Sequence, residues 1–182
     1  MDVRLFYHSA MVIDPSSLSI VLFPDPILKT MAVAIPAVTD EVRAVASRML
    51  ELMDEAEGIG LAAPQVGLNW RLYVTRYPED HGVPGGLVFV NPVIEVIDPT
   101  PVEDSEGCLS LPGIDVLVRR PAGIRVAAMD LNGDQFVMEW DDHFARVCQH
   151  ETDHLDGVLI IDRMSTMERL RNRKAIRALE RA

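Results

Sequence analysis

The stretch Gln149-His150-Glu151-Thr152-Asp153-His154 decides how this chain folds. It has the pattern His-Glu-x-x-His. Residues four apart on an α-helix share a face, roughly 6 Å apart along the axis. Two imidazoles so placed grip one metal ion, and the glutamate between them stands beside the ion, free to handle protons. The pattern predicts a central helix with a divalent ion on one face. Gly157, shortly after His154, ends that helix.

Two imidazoles leave a divalent ion short of ligands. Cys108, in Glu106-Gly107-Cys108-Leu109-Ser110, is the candidate third ligand. A thiolate on a tight, glycine-flanked turn projects freely, and metal binding lowers its pKa. The other cysteine, Cys148, stands about 200° around the helix from His150 and reads as a small packing residue. Three protein ligands leave a fourth position for water, as in catalytic rather than closed structural sites. An ion there supplies hydroxide at neutral pH, and Glu151 is the group that accepts and returns the proton. Cys and His ligands suit several divalent metals, so the ligand set does not choose the ion.

Each residue has a plainer reading when taken singly. His150 and His154 would be polar helix residues, Cys108 a buried thiol, and Gly58, Gly60 and Gly67 turn residues. Their combination favours the chemical reading. His8 and His81 lie outside every motif and read as exposed. His143 reads as the start of the metal helix. Asp153 and Asp156 are candidates for supporting or capping roles, and Asp162 and Arg163 for a structural pair.

The 182 residues, 48% hydrophobic and 25% charged, suit one globular domain with a sizeable core. A net charge of −11 argues against a general nucleic-acid binder, and no sequence-specific nucleic-acid partner is expected. No apolar run is long enough for a membrane span, and the N-terminus lacks a secretory pattern. Two cysteines in or beside chemical motifs argue against a disulfide framework, and a reducing compartment keeps Cys108 available. The expected location is the bacterial cytoplasm, with an organelle as the other setting.

Thr39 caps a helix expected over 40–57, with Val42, Val45, Ala46, Met49 and Met53 as its apolar stripe. Strand-like runs follow at 71–75, 87–91, 115–119 and 124–131. Asn132-Gly133 is a hairpin signal leading into 135–140. A last helix is expected over 166–182. The expected fold is α+β, with mainly antiparallel sheets around a central metal-binding helix and a C-terminal helix. One domain covers 1–182, with 1–20 as an N-terminal extension.

A third motif, Gly58-Ile59-Gly60-Leu61-Ala62-Ala63-Pro64-Gln65-Val66-Gly67, precedes the other two. In this order the three resemble the signature of the peptide deformylases, from about Phe23-Pro24-Asp25-Pro26 to the C-terminal helix. The resemblance implies removal of the formyl group from the N-terminal formylmethionine of newly synthesised polypeptides. It implies Fe2+ as the native ion, with Zn2+, Ni2+ or Co2+ able to occupy the site. It implies that the Gln65 side-chain amide and the Leu109 backbone N–H stabilise the oxyanion. It further implies that the methionine side chain enters a pocket formed by Ile59, Gly60, Phe144, Val147 and Cys148. Two features depart from the pattern: His143 stands where the family often has a small residue, and residues 1–20 precede the usual start. The Glu-Gly-Cys-Leu-Ser motif argues against a general zinc peptidase, which would recruit His or Glu as third ligand. A metal-stabilised binding module would need four closed ligands.

The segment Met167–Ala182 carries Arg169, Arg171, Arg173, Lys174, Arg177 and Arg181 against Glu168 and Glu180. It is +4, and the rest of the chain is −11 − 4 = −15. A solvated helix is the plain reading. The resemblance favours docking to ribosomal RNA near the exit of the nascent chain.

Overall fold

The computed structural model describes residues 13–76 and 86–181. Helix α1 (Asp40–Glu55) starts where Thr39 accepts the Val42 N–H, and Asp40 and Glu41 sit at the positive end of its dipole. It stops two residues before the sequence reading had it: Glu57 takes φ 54°, a left-handed conformation that no helix continues through.

Strands β1 (Gly60–Ala62), β2 (Leu72–Thr75), β3 (Leu87–Glu106), β4 (Val116–Met129) and β5 (Gln135–Trp140) form one antiparallel sheet in sequence order. The alternation of strand side chains splits β2 between two layers. Leu72 and Val74 pack under α1 with Leu61, Val45, Met49 and Met53. Tyr73 faces the other side, among Phe89, Ile124, Trp140, Phe144 and Cys148. That second layer holds α2 (His143–Leu155), whose first turn is capped by Asp142 accepting the Phe144 N–H at 2.9 Å. The sheet thus lies between α1 and α2, and the fold is α+β as expected.

Two strands run further than their sequence patterns. β3 continues to Glu106 through Pro92, Pro99 and Pro101, with register shifts at Val90/Val93, Val96/Asp98 and Asp98/Pro101. Proline removes a ladder donor, and bulges at these points absorb the loss. The runs at 115–119 and 124–131 are a single strand, β4, bridged across Pro121 and Gly123 by pairing to β3. The hairpin at Asn132-Gly133 forms as read, with Gly133 at φ 87° and Asp130 accepting the Asn132 and Asp134 N–H groups.

A third apolar cluster joins the C-terminal part to the body. Leu28, Leu111, Ile114, Val118, Leu159, Ile160 and Ile161 receive Ile176 of α4 (Thr166–Leu179), next to the short helix α3 (Ile160–Arg163). Asp162 and Arg163 do not pair with each other: Lys29 binds Asp162, and Arg163 binds Asp153. The described part of the N-terminal extension is ordered against α1. Ile13 donates its N–H to Glu41 at 2.8 Å, and Leu18 is buried. His8 and His81 lie outside the described residues. Among the described residues, no helix is long and apolar enough to cross a membrane.

Candidate metal centre and active site

The three motifs converge on one point. α2 carries His150 and His154 on adjacent turns, with ring centroids 4.9 Å apart and planes at 74°. The turn after β3 brings up Cys108, whose Sγ lies 3.3 Å from His154 Nε2. One ligand atom from each of the three lies within 4.8 Å of the others. Ligand bonds of about 2.0–2.3 Å around a tetrahedral ion put neighbouring donors roughly 3.5 Å apart. The donor set therefore fits an ion with small adjustments.

Glu106 fixes His150. Its Oε2 lies 2.9 Å from His150 Nδ1 and accepts that N–H, which turns Nε2 toward the centre. Arg120 grips both Glu106 oxygens at 2.6 and 2.8 Å, and Arg146 adds a bond of 2.7 Å. Burial alone would raise the Glu106 pKa, but Arg120 and His150 hold it well below the usual carboxylate range. Burial and the neighbouring charge of His150 push the His154 pKa well below its ordinary value, which favours the neutral, ligating imidazole. Burial lowers the His150 pKa as well, yet the Cys108 and Glu106 contacts prevail and raise it to about 10. An ion at the centre competes directly with that proton.

Glu151 is buried beside the histidines, and its Oε2 has no hydrogen-bond partner among the described residues. Burial raises its pKa to about 7 against the lowering influence of His150 and Arg120. Gln65 is also buried. Its Oε1 accepts the Ala62 N–H at 2.8 Å, so its amide N–H group points to Cys108 Sγ (3.6 Å) and Ser110 Oγ (3.3 Å). The turn that does this, Ala63–Val66, ends on Gly67 at φ 79°.

A cavity of about 410 Å³ opens beside these groups. Ile59, Gly60, Gln65, Leu109, Val147 and Glu151 line it, as do His143 and Arg146. Phe144 and Cys148 are not in its lining. Both belong to the core layer under α2, with Phe144 edge-on to Trp140 at 4.8 Å. The helical period explains the split: 143, 147, 150 and 154 share the cavity side, and 144 and 148 share the sheet side. Burial pushes the Cys148 thiol up to about 12, so it is a packing group. Glu106 was quoted in the sequence only as a flank of Cys108, and Arg120 and Arg146 carried no local signal. Asp153 supports the site by accepting from Arg120 at 2.9 Å, whereas Asp156 pairs with Arg71 nearer the surface.

Comparisons with known proteins agree with this geometry. A family model described as polypeptide deformylase matches residues 17–170. Peptide deformylase of Teredinibacter turnerae is 43% identical over 159 residues, covering 87% of this chain and 94% of that protein. Peptide deformylase of Pseudomonas aeruginosa is 42% identical with the same coverage. Among solved structures, a plant peptide deformylase superposes with a TM-score of 0.86 at 39% identity, covering 93% of this chain and 92% of that one. Peptide deformylase of Thermotoga maritima gives 0.76 at 40% identity, covering 81% and 97%. The chain belongs to the polypeptide deformylase family and is an enzyme of that family.

Proposed function

We propose that this chain hydrolyses the formamide of formylmethionyl nascent peptides with the help of one divalent ion held by Cys108, His150 and His154. The observation that carries this reading is the meeting of three candidate ligand atoms beside a buried carboxylate oxygen that has no partner among the described residues. Fe2+ is the ion assigned by the family resemblance, and Zn2+, Ni2+ or Co2+ suit the same thiolate and imidazole donors. Bound there, the ion supplies Lewis-acid polarisation of the formyl oxygen and acidifies water.

The rest of the chemistry belongs to the chain. Glu151, with a pKa near neutrality, takes a proton from the attacking water and delivers it to the leaving amine. The Gln65 amide and the Leu109 N–H donate to the oxygen that gains charge. The methionine side chain occupies the cavity against Ile59, Gly60 and Val147, and Phe144 and Cys148 support that wall from behind. The formyl carbon bears a hydrogen where an internal peptide carbonyl bears a carbon substituent, so a crowded centre admits it and rejects internal peptide bonds. One catalytic domain accounts for the chain. In this reading it works in the bacterial cytoplasm or an organelle, wherever translation starts with formylmethionine.

We also assign α4 to a ribosomal RNA contact. Arg173, Lys174, Arg177 and Arg181 are exposed and, among the described residues, unpaired. Arg169 is exposed as well, but it is tied down by donating to the Ile161 carbonyl at 2.6 Å. The test of the catalytic reading compares formyl-Met-Ala with its unformylated counterpart in the iron, nickel and zinc forms prepared without oxygen. Deformylation only in ion-loaded protein is the expected result. Turnover that survives complete ion removal overturns it.

A further inference from the structure

His150 is the inner end of a ladder of charges that leaves the cavity and reaches the protein surface. Glu106 receives His150 Nδ1–H at 2.9 Å, Arg120 Nε and Nη2 at 2.6 and 2.8 Å, and Arg146 Nη1 at 2.7 Å. Arg120 spends its remaining Nη1 on Asp153 Oδ2 at 2.9 Å. Asp153 is itself clamped by Arg163, with Nε to Oδ2 at 2.6 Å and Nη2 to Oδ1. Arg120 and Glu106 are 4% and 5% exposed at their side chains, Asp153 13%, and Arg163 43%. The ladder therefore has one end in the site and the other within reach of solvent.

The carboxylate of Asp153 is the hinge of this arrangement. Its Oδ2 serves Arg120 and Arg163 at once, so the two guanidinium groups share one oxygen. Planar guanidinium forks fix direction as well as charge. With Arg163 in place, Asp153 is held on both oxygens and presents Oδ2 to Arg120 at one angle. Without it, Asp153 keeps a single partner and turns with it. Arg120 carries that turn to Glu106, and Glu106 sets the ring of His150.

We infer that Arg163, which touches neither the cavity nor any candidate ligand, is a positioning residue for His150. It acts through Asp153, Arg120 and Glu106. The inference rests on the proposed Cys108, His150 and His154 ion site and adds to it a control point outside the cavity. Partners of metal-bound histidines typically change ion affinity by about 10–100-fold when removed. Arg163 stands further out, and we expect a loss of about threefold to tenfold.

The experiment uses the full-length, ion-loaded protein and compares wild type with Arg163→Ala, Arg163→Lys and Asp162→Asn. The readouts are the rate of ion loss to a chelator, the visible spectrum of the Co2+ form, and the Tm. Asp162→Asn removes the charge that pairs with Lys29 and weakens the acceptor for the Leu159 N–H on the same short helix, but leaves Asp153 untouched. Arg163→Ala should speed ion loss and shift the Co2+ bands, Arg163→Lys should recover part of both, and Asp162→Asn should lower the Tm with ion retention unchanged. Unaltered retention and spectrum in Arg163→Ala overturns the inference. So does equal ion loss in Arg163→Ala and Asp162→Asn, which would make the effect one of helix stability. Failure of the underlying site reading looks different: wild-type protein itself would then hold no ion through Cys108, and Cys108→Ala would retain it unchanged.

Discussion

Gly60 lies directly against Glu151: a Cβ built on Gly60 overlaps the Glu151 carboxylate, with Oε1 its nearest atom. Gly60 is in strand β1 and its φ lies outside the left-handed region, so the backbone would accept alanine. The requirement for glycine is one of space for the carboxylate.

Gly60→Ala should therefore act on catalysis through Glu151. We expect a fall in kcat of at least about tenfold, since a displaced proton-transfer group loses part of its usual worth. Ion content should remain near wild type. Steady-state kinetics with metal analysis on the same sample checks both, and unchanged kcat would refute the contact.

Glu151→Ala should keep the ion, because Cys108, His150 and His154 remain. Deformylation should fall by at least about a hundredfold. A fully loaded variant with wild-type turnover would remove Glu151 from the reaction.

The two cysteines should separate cleanly. Cys108→Ala should lose tight ion binding. Cys148→Ala should keep the ion and lose stability on the order of 1 kcal/mol for the small volume removed from a packed layer. Equilibrium dialysis and urea unfolding measure the pair, and exchanged phenotypes would reverse the assignment.

Val147 and Phe144 should also part company. Val147→Phe narrows the cavity and should raise KM for formyl-Met-Ala with little change in Tm. Phe144→Ala opens the core against Trp140 and should cost about 3–5 kcal/mol. A rise in KM from Phe144→Ala without loss of stability would put Phe144 in the substrate pocket.

Reversing α4 with Arg173→Glu, Lys174→Glu and Arg177→Glu should abolish ribosome co-sedimentation and spare turnover of a small formyl peptide. The wild-type contact should weaken steeply with salt. Co-sedimentation that persists in the triple variant would assign the helix a different role.

The central helix, its two candidate ligands, Cys108 and Gln65 were legible because each sits in a short motif with its own local geometry. α1 was legible from a cap and a 3.6-residue stripe. β3 was not, because Pro92, Pro99 and Pro101 look like breaks until bulges and the pairing with β4 accommodate them. Glu106 and Arg120 were missed for a related reason. They meet through the register of two strands, with Glu106 opposite Val116 and Arg120 opposite Val102, and no sequence spacing encodes that register. The placement of Phe144 and Cys148 followed from the helical period, which already turned Cys148 away from His150. The resemblance grouped them with the pocket, and the period put them behind it.

Cys108 and His154 are 46 positions apart, and the segment between them contains β4, β5 and most of α2. An ion bridging them is a clasp on that whole segment. Packing of the apolar clusters brings its two ends together, and an ion that binds only that arrangement adds its binding free energy to the stability of the whole segment. Removal of the ion should then lower the Tm of the domain as a whole rather than loosen the site alone.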